Sequence, residues 1–194
     1  ANGYDVILPS DYMVTRMVRR GMLLPLDKSQ LPNLRHLDPS NTNPPYDPGL
    51  RYSIPYTLGN TGILINTDKV KVPADGVSWS MLLESPDPRR TCLLDDMREV
   101  FAGALMWKGR DPNEKDPAIL TEAGKQLQKT KKDIALFSSE PAPLLIKGEV
   151  YIAHAFTNHA VQAAAENPAM KFFFPKEGAI TWTDNLAIPK SAAN

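Results

Sequence analysis

Residues 91–101 read TCLLDDMREVF and predict a strand that runs directly into a helix. The apolar run Thr91–Leu94 is typical of a buried strand. A helix then begins at Asp95 or Asp96 and reaches about Trp107. In open α/β sheets, ligands bind beyond the carboxyl ends of the strands. The acids that follow this strand therefore stand where such a ligand is expected.

The rest of the chain continues the alternation of strands and helices. Helices are predicted over 117–130, 142–147 and 158–166, and strands over 134–137, 150–155 and 170–174. An extended segment covers 178–189. The alternation indicates the α/β class. Two further expectations concern the first third of the chain: residues 4–9 as a short buried strand, and residues 51–66 as two strands broken at 58–60.

Composition narrows the class of protein. The 194 residues carry 22 Lys+Arg against 22 Asp+Glu, so the net charge is zero, which argues against a nucleic-acid-binding face. A length of this order suits one large domain or two small ones. The single cysteine, Cys92, excludes an internal disulfide and lies in a predicted buried strand. The 18 prolines, of which six fall in 22–50, predict an extended surface loop there.

Two sequence features bear on the cellular compartment. An apolar run of membrane-spanning length does not occur. A signal peptide does not open the sequence, so we expect either a cytosolic protein or a mature or excised piece of a larger one.

Asp96 and Glu99 are the strongest candidates for chemistry. They are three residues apart and share one face of the predicted helix, where two carboxylates could hold a cation or act as acid and base. The alternative is a capping box, in which the same two residues only close the start of the helix. Spacing alone leaves both interpretations open.

Trp182 and Asp184 form a second candidate pair. In an alternating strand they point the same way, and an aromatic face beside a carboxylate suits an ammonium group. The alternative is an ordinary core Trp beside a turn-forming Asp.

Ser10 and Tyr12 form a third candidate pair. The simplest interpretation makes Ser10 the N-cap of a helix that ends at Gly21, with Tyr12 as a half-buried anchor. The functional interpretation has both residues lining a crevice at the end of a strand. His154 and His159, five apart, lack the spacing of a metal site.

The order of these motifs resembles the periplasmic spermidine/putrescine-binding proteins of polyamine ABC transporters. The resemblance covers almost the whole chain. It rests on YDVILPSDY at 4–12, YSIPY at 52–56, LLDDMREVF at 93–101, GEV at 148–150, PKEG at 175–178 and WTDNLAIP at 182–189. It implies a periplasmic-binding-protein-like (type II) α/β fold of two lobes, one complete and the other partial.

The resemblance also implies domain boundaries. Residues 1–57 would be a partial first lobe, 58–182 a second lobe with flanking hinge strands, and 183–194 a return strand to the first lobe. Members of the family are markedly longer at both ends, so we expect a chain truncated at both ends. For the 194 residues alone we expect weak or absent ligand binding.

The resemblance implies ligand-binding roles by position, with the ligand clamped between the lobes. The implied residues are Ser10, Tyr12, Asp96, Glu99, Phe156, Trp182 and Asp184. Phe156 stands where the family usually has Trp, and Leu58 replaces a usual aromatic near the hinge. Both departures put the identity and affinity of the ligand in question more than its class.

The function implied is binding of a polyamine for an ABC importer, with a membrane permease as partner, no cofactor and no catalysis. The expected location is periplasmic or otherwise extracytoplasmic and membrane-associated. Fragments could also self-associate or swap strands. The alternatives are binding of another cation, such as a different amine or ferric iron, on the same scaffold, and less favourably an acid/base enzyme using Asp96 and Glu99.

Overall fold

The computed structural model describes residues 3–193, which divide into two compact units. The first unit contains the chain up to Leu58 and from Trp182 onward, and the second contains Gly59–Thr181. The chain therefore passes from one unit to the other twice.

Helices and strands alternate along the described residues, which confirms the α/β class. The elements in chain order are α1 Asp11–Arg19, β1 Ser53–Asn66, α2 Ser80–Leu83, β2 Thr91–Leu93, α3 Met97–Trp107, α4 Pro117–Thr130, β3 Ile134–Phe137, α5 Ala142–Ile146, β4 Ile152–Phe156, α6 Thr157–Glu166, β5 Met170–Phe173 and β6 Ile180–Ala187. Short 3-10 helices cover Lys28–Gln30, Pro32–His36, Pro39–Asn41 and Lys131–Asp133. Three of these lie in the proline-rich segment, which is otherwise irregular as predicted.

The sheet has the strand order β3-β2-β4-β1-β5, and β6 also pairs with β1. Strand β2 runs parallel to β3 and β4, whereas β1 runs antiparallel to β4 and β5. The parallel pair β2–β3 is joined through α3 and α4, because parallel neighbours need a long crossover.

Both faces of the sheet are covered in the second unit. On one face Ile63 and Ile65 pack with residues of α2 and α3. On the other face Leu64 packs with residues of α5 and α6. A strand buried on both faces is apolar at every position, which explains the continuous Ile-Leu-Ile run.

Gly62 lies where β1 and β5 approach closely. A Cβ added at this position would lie 2.6 Å from the carbonyl oxygen of Phe173 and 2.8 Å from a ring carbon of Phe172. Because a backbone atom cannot move as a flexible side chain can, only glycine is accommodated here.

Residues 51–66 correct one expectation. They form a single strand, β1 from Ser53 to Asn66, and are not two strands broken at Leu58–Asn60. The side chain of Asn60 accepts a hydrogen bond of 2.9 Å from the hydroxyl of Thr181, on the strand that pairs with β1. Glycine permits a turn without requiring one, and pairing keeps this stretch extended.

Residues 4–9 correct a second expectation, because they are not a buried strand. Tyr4, Val6 and Leu8 are 70%, 53% and 51% exposed. The backbone makes one isolated antiparallel bridge, in which Ile7 and Ala187 exchange hydrogen bonds of 2.9 and 3.0 Å. The alternation leaves Ile7 to pack with the small core of the first unit, around Val14 of α1.

Helix α1 ends as its sequence predicts. Gly21 has a φ of +62°, a conformation that glycine adopts at little cost. The amide of Met22 donates to the carbonyl of Met17 at 2.9 Å, and that of Gly21 donates to Val18 at 3.0 Å. This pair of bonds is the Schellman arrangement of a helix C-terminus.

His154 of β4 is an unusual core residue. Its side chain is 1% exposed, and its ring meets Trp79 edge to face at a centroid distance of 5.3 Å. Neither ring nitrogen has a hydrogen-bond partner among the described residues. Burial lowers the pKa of His154 to about 3, so this side chain is neutral in the folded protein at neutral pH.

We expect His154 to make the second unit acid-sensitive. The unfolded chain takes up a proton near pH 6.5, which the folded chain resists until about pH 3, so the free energy of unfolding falls as pH falls through that window. By pH 4.5 the loss should be roughly 2–3 kcal/mol. Urea denaturation at pH 7 and pH 4.5 should show a smaller loss in His154→Phe than in the parent, because only the contribution of His154 is removed. His36→Phe, at an exposed histidine, is the matched control and should retain the loss; an equal loss in His154→Phe would contradict the expectation.

Candidate functional site

The seven candidate residues divide between the two units. Four belong to the first unit: Ser10, Tyr12, Trp182 and Asp184. Three belong to the second unit: Asp96, Glu99 and Phe156. The local geometry of each set follows from its own unit.

Ser10 and Asp184 are joined directly in the first unit. They face each other across an isolated antiparallel bridge, and the Ser10 hydroxyl donates to Asp184 Oδ1 at 2.6 Å. Ser10 does occupy the N-cap position of α1, but its side chain does not cap the helix. The capping interpretation of that hydroxyl is therefore wrong. The bond orients the Asp184 carboxylate through Oδ1.

Trp182 and Asp184 lie on the same side of β6, as alternation predicts. Thr183, Asn185 and Ala187 are buried on the opposite side, whereas Trp182 and Asp184 are partly exposed. Asp184 is thus a strand residue and not part of a turn. An aromatic side chain and a carboxylate side by side on one strand face can contact a cation with ring and charge together.

Three polar residues support this face, and the sequence interpretation missed them. Asp11, Tyr46 and Asn185 bond to the backbone or side chains around Thr183. Their partners lie as far as 172 residues away in the chain. Local spacing therefore carries no signal for them.

Asp96 caps helix α3 in the second unit. Its Oδ1 accepts hydrogen bonds from the backbone amides of Arg98 at 2.9 Å and Glu99 at 3.3 Å. The capping role is confirmed for Asp96, and Oδ2 lies beyond these bonds. Capping and ligand binding are compatible, because the two oxygens of one carboxylate serve different partners. Glu99, one turn into the helix, is 8% exposed.

Phe156 ends β4 and immediately precedes α6. His159 accepts a hydrogen bond from the Phe156 amide at 3.2 Å through Nδ1, and the two rings lie 5.4 Å apart. Burial lowers the pKa of His159, an effect that the Glu140 carboxylate partly offsets. The neutral form is the one whose Nδ1 can accept this bond, so His159 holds the aromatic ring at the end of the strand.

His154 and His159 do not belong to a metal cluster among the described residues. Among residues 3–193, three or more His, Cys, Asp or Glu side chains do not come together in a way that could hold a metal ion. Cys92 is fully buried, and this burial raises the pKa of its thiol to about 12. It packs with Leu64 and Ala153 as a small apolar residue.

The sequence model of the bacterial extracellular solute-binding protein family matches residues 1–194. The chain belongs to this family. The relationship agrees with the resemblance drawn from the motifs and confirms the α/β binding-protein fold.

Several curated relatives of this chain are named for the polyamines that they bind. The chain is 44% identical over 195 residues to "Spermidine/putrescine-binding periplasmic protein 1" of Haemophilus influenzae, covering 100% of this chain and 54% of the relative. It is 39% identical over 192 residues to the spermidine/putrescine-binding periplasmic protein of Escherichia coli, covering 98% and 55%. The chain thus spans about half the length of the curated relatives it matches.

Solved structures agree on the fold. The TpPotD lipoprotein of Treponema pallidum superposes with a TM-score of 0.90 at 32% identity, over 100% of this chain and 62% of that one. The spermidine/putrescine ABC transporter substrate-binding protein PotD of Streptococcus pneumoniae superposes with a TM-score of 0.80 at 31% identity, over 98% and 59%. Across the described residues of this chain, all helices are too short or too polar to cross a membrane.

The two oxygens of Asp96 allow its capping role to be separated from any ligand-binding role. Asp96→Asn retains a good N-cap and should change the free energy of unfolding by less than about 0.5 kcal/mol, whereas Asp96→Ala should lower it by about 1 kcal/mol. Urea denaturation measures both values. An Asn variant as unstable as the Ala variant would show that the negative charge, and not the cap, stabilises the helix start.

Proposed function

We propose that this chain is part of a polyamine-binding protein of an ABC importer and carries residues that contact the ligand. The observation that carries the proposal is the Trp182–Asp184 face, oriented by Ser10, in a chain 44% identical to a spermidine/putrescine-binding protein. The relatives supply the class of ligand, and the local geometry supplies a reason why that class suits these residues.

The chemistry of a polyamine matches both sets of candidate residues. A polyamine is a row of ammonium groups separated by methylenes. In this proposal Asp184 takes one ammonium group while Trp182 presents its ring to the same cation. Within the second unit, Asp96 and Glu99 offer carboxylates for an ammonium group, and the ring of Phe156 suits methylenes.

In this proposal the protein would discriminate between polyamines of different length by the number of its carboxylates that pair with an ammonium group of the ligand. Putrescine has two ammonium groups and spermidine has three. A buried carboxylate left without its partner keeps the cost of its desolvation. Of the candidate acids Glu99 is the most buried, at 8% exposed, so its pairing should matter most for discrimination.

We propose further that the protein performs no catalysis, works with a membrane permease and acts in the periplasm. The family consists of solute-binding proteins, and the relatives named above are periplasmic.

Calorimetry with spermidine and putrescine on the native polypeptide carrying this sequence tests the proposal. We expect binding of both amines and none of diacetylputrescine, which has no ammonium groups. Asp184→Asn and Asp96→Asn should each weaken binding by about tenfold or more, because each leaves an ammonium group without its carboxylate.

The matched control is Asp116→Asn. Asp116 caps α4 through a bond of 2.8 Å from the Ala118 amide, as Asp96 caps α3, but it is exposed and is not a candidate ligand residue. Its variant should bind both amines like the parent. An absence of heat with either amine at millimolar concentration would overturn the proposed function.

The first unit also has a surface suited to self-association. Val6 and Leu186 line a groove of about 390 Å³, together with Leu26, Leu34, Ile54 and Ile188. Tyr4, Val6 and Leu8 are exposed in the same part of the unit, and clustered exposed apolar side chains favour association. We propose that two copies of this chain associate through this apolar surface.

Sedimentation of the 194-residue chain tests this association. We expect a concentration-dependent dimer, because association would remove the exposed side chains of Tyr4, Val6 and Leu8 from water. Val6→Lys should shift the chain toward the monomer, while Val161→Lys, at a side chain 74% exposed on α6, should not. A parent that stays monomeric at millimolar concentration would contradict the proposal.

A further inference from the structure

Asp11 is a partly buried carboxylate to which the proposed function gives no role. Asp11 is the first residue of α1 and lies between the candidates Ser10 and Tyr12. Its Oδ1 accepts a bond of 2.5 Å from the Tyr12 amide, and its Oδ2 accepts a bond of 3.1 Å from the Thr183 amide. One carboxylate therefore joins the start of α1 to the middle of β6.

Thr183 is the residue between the candidates Trp182 and Asp184. Its backbone is held on both sides by side chains: its amide donates to Asp11, and its carbonyl accepts a bond of 2.9 Å from the side-chain amide of Asn185. Both backbone polar groups of Thr183 therefore have side-chain partners.

A third side chain fixes Asn185. The Tyr46 hydroxyl donates to Asn185 Oδ1 at 2.9 Å, and the backbone amide of Asn185 donates to the Pro9 carbonyl at 2.9 Å. Burial raises the pKa of Tyr46, so the hydroxyl keeps the proton that it donates. Asn185 is completely buried, which makes its orientation specific.

We propose that Asp11 is a positioning residue for ligand binding, which fixes the face of β6 that presents Trp182 and Asp184. This inference rests on the proposed function. In a strand, a slip of one residue exchanges the two faces. The bond to the Thr183 amide opposes such a slip, and the bond to the Tyr12 amide holds Ser10 and Tyr12 in register with it.

The role requires a carboxylate. The amides of Tyr12 and Thr183 donate to different oxygens of Asp11, and an asparagine would turn its NH₂ group toward one of these N–H donors. The negative charge also suits the first turn of α1. Asp11→Asn therefore changes the bonding while preserving the shape of the side chain.

A double-mutant cycle for spermidine affinity tests the inference in the native polypeptide carrying this sequence. Asp11→Asn should weaken spermidine binding by about tenfold in the parent. In an Asp184→Asn background the same change should weaken binding by less than about threefold, because Asp11 acts through the Trp182–Asp184 face. Equal effects in both backgrounds would overturn the inference and leave the proposed function standing.

Asp47→Asn is the matched control for loss of stability. Asp47 is 3% exposed and accepts bonds from the amides of Arg51, Tyr52 and Ser53, so it is also a structural carboxylate of the first unit. It contacts none of the candidate ligand residues through these bonds. Asp47→Asn should lower the midpoint of urea unfolding at least as much as Asp11→Asn, while changing spermidine affinity less than about twofold.

Tyr46→Phe is the milder variant, in case Asp11→Asn does not fold. It removes only the hydroxyl that orients Asn185 and should weaken spermidine binding by about threefold. An unchanged spermidine affinity in Tyr46→Phe would contradict a role of the Tyr46–Asn185 hydrogen bond in positioning the face of β6.

A ligand-free measurement separates this inference from the proposed function. Hydrogen exchange of the Thr183 amide should be at least tenfold faster in Asp11→Asn than in the parent, relative to amides of β4 in each protein. If the parent binds no polyamine, the proposed function fails whatever the exchange shows. Unchanged exchange at Thr183 would overturn the positioning role even where polyamine binds.

Discussion

Backbone pairing of β1 with three other strands is the interaction on which the rest of the structure depends. Its second half pairs with β4 on one side and β5 on the other, and it also pairs with β6. The register aligns Thr61 with Phe156, which places that aromatic ring at the end of β4. The same strand carries the core residues Ile63 and Leu64 to opposite faces of the sheet. A single strand thus organises the core and locates one of the candidate ligand residues.

Polar side chains also stabilise the fold, because they form hydrogen bonds with backbone groups at the ends of helices and strands. Asp96 caps α3, and Asp11 connects α1 to β6. Asp47 accepts hydrogen bonds from three consecutive backbone amides at the start of β1. Asp96 holds two backbone amides with Oδ1 alone, so its second oxygen can serve another partner. Structural and binding interpretations of such a residue are therefore not alternatives, although the sequence presents them that way.

The chain shows how local patterns translate into structure. Helix α4 and strand β3 have the predicted bounds, because their apolar periodicity and flanking signals lie within the segment itself. Two of the wrong expectations concern pairing at a distance. Residues 4–9 are apolar enough for a buried strand, but what lies against them is decided by Ala187, far away in the chain. The stretch Leu58–Asn60 resembles a break, but pairing keeps it extended.

By itself the sequence determined the α/β class, the positions of most helices and strands, the family and the residue types of the candidate site. Those properties follow from periodicity, capping chemistry and motif order, all of which are local or linear. Only the tertiary structure decided that Ser10 bonds to Asp184, that Thr183 is held by Asp11 and Asn185, and that His154 is buried against Trp79. Hydrogen bonds and packing depend on distance in space, and residues separated by most of the chain acquire that proximity only when the chain folds.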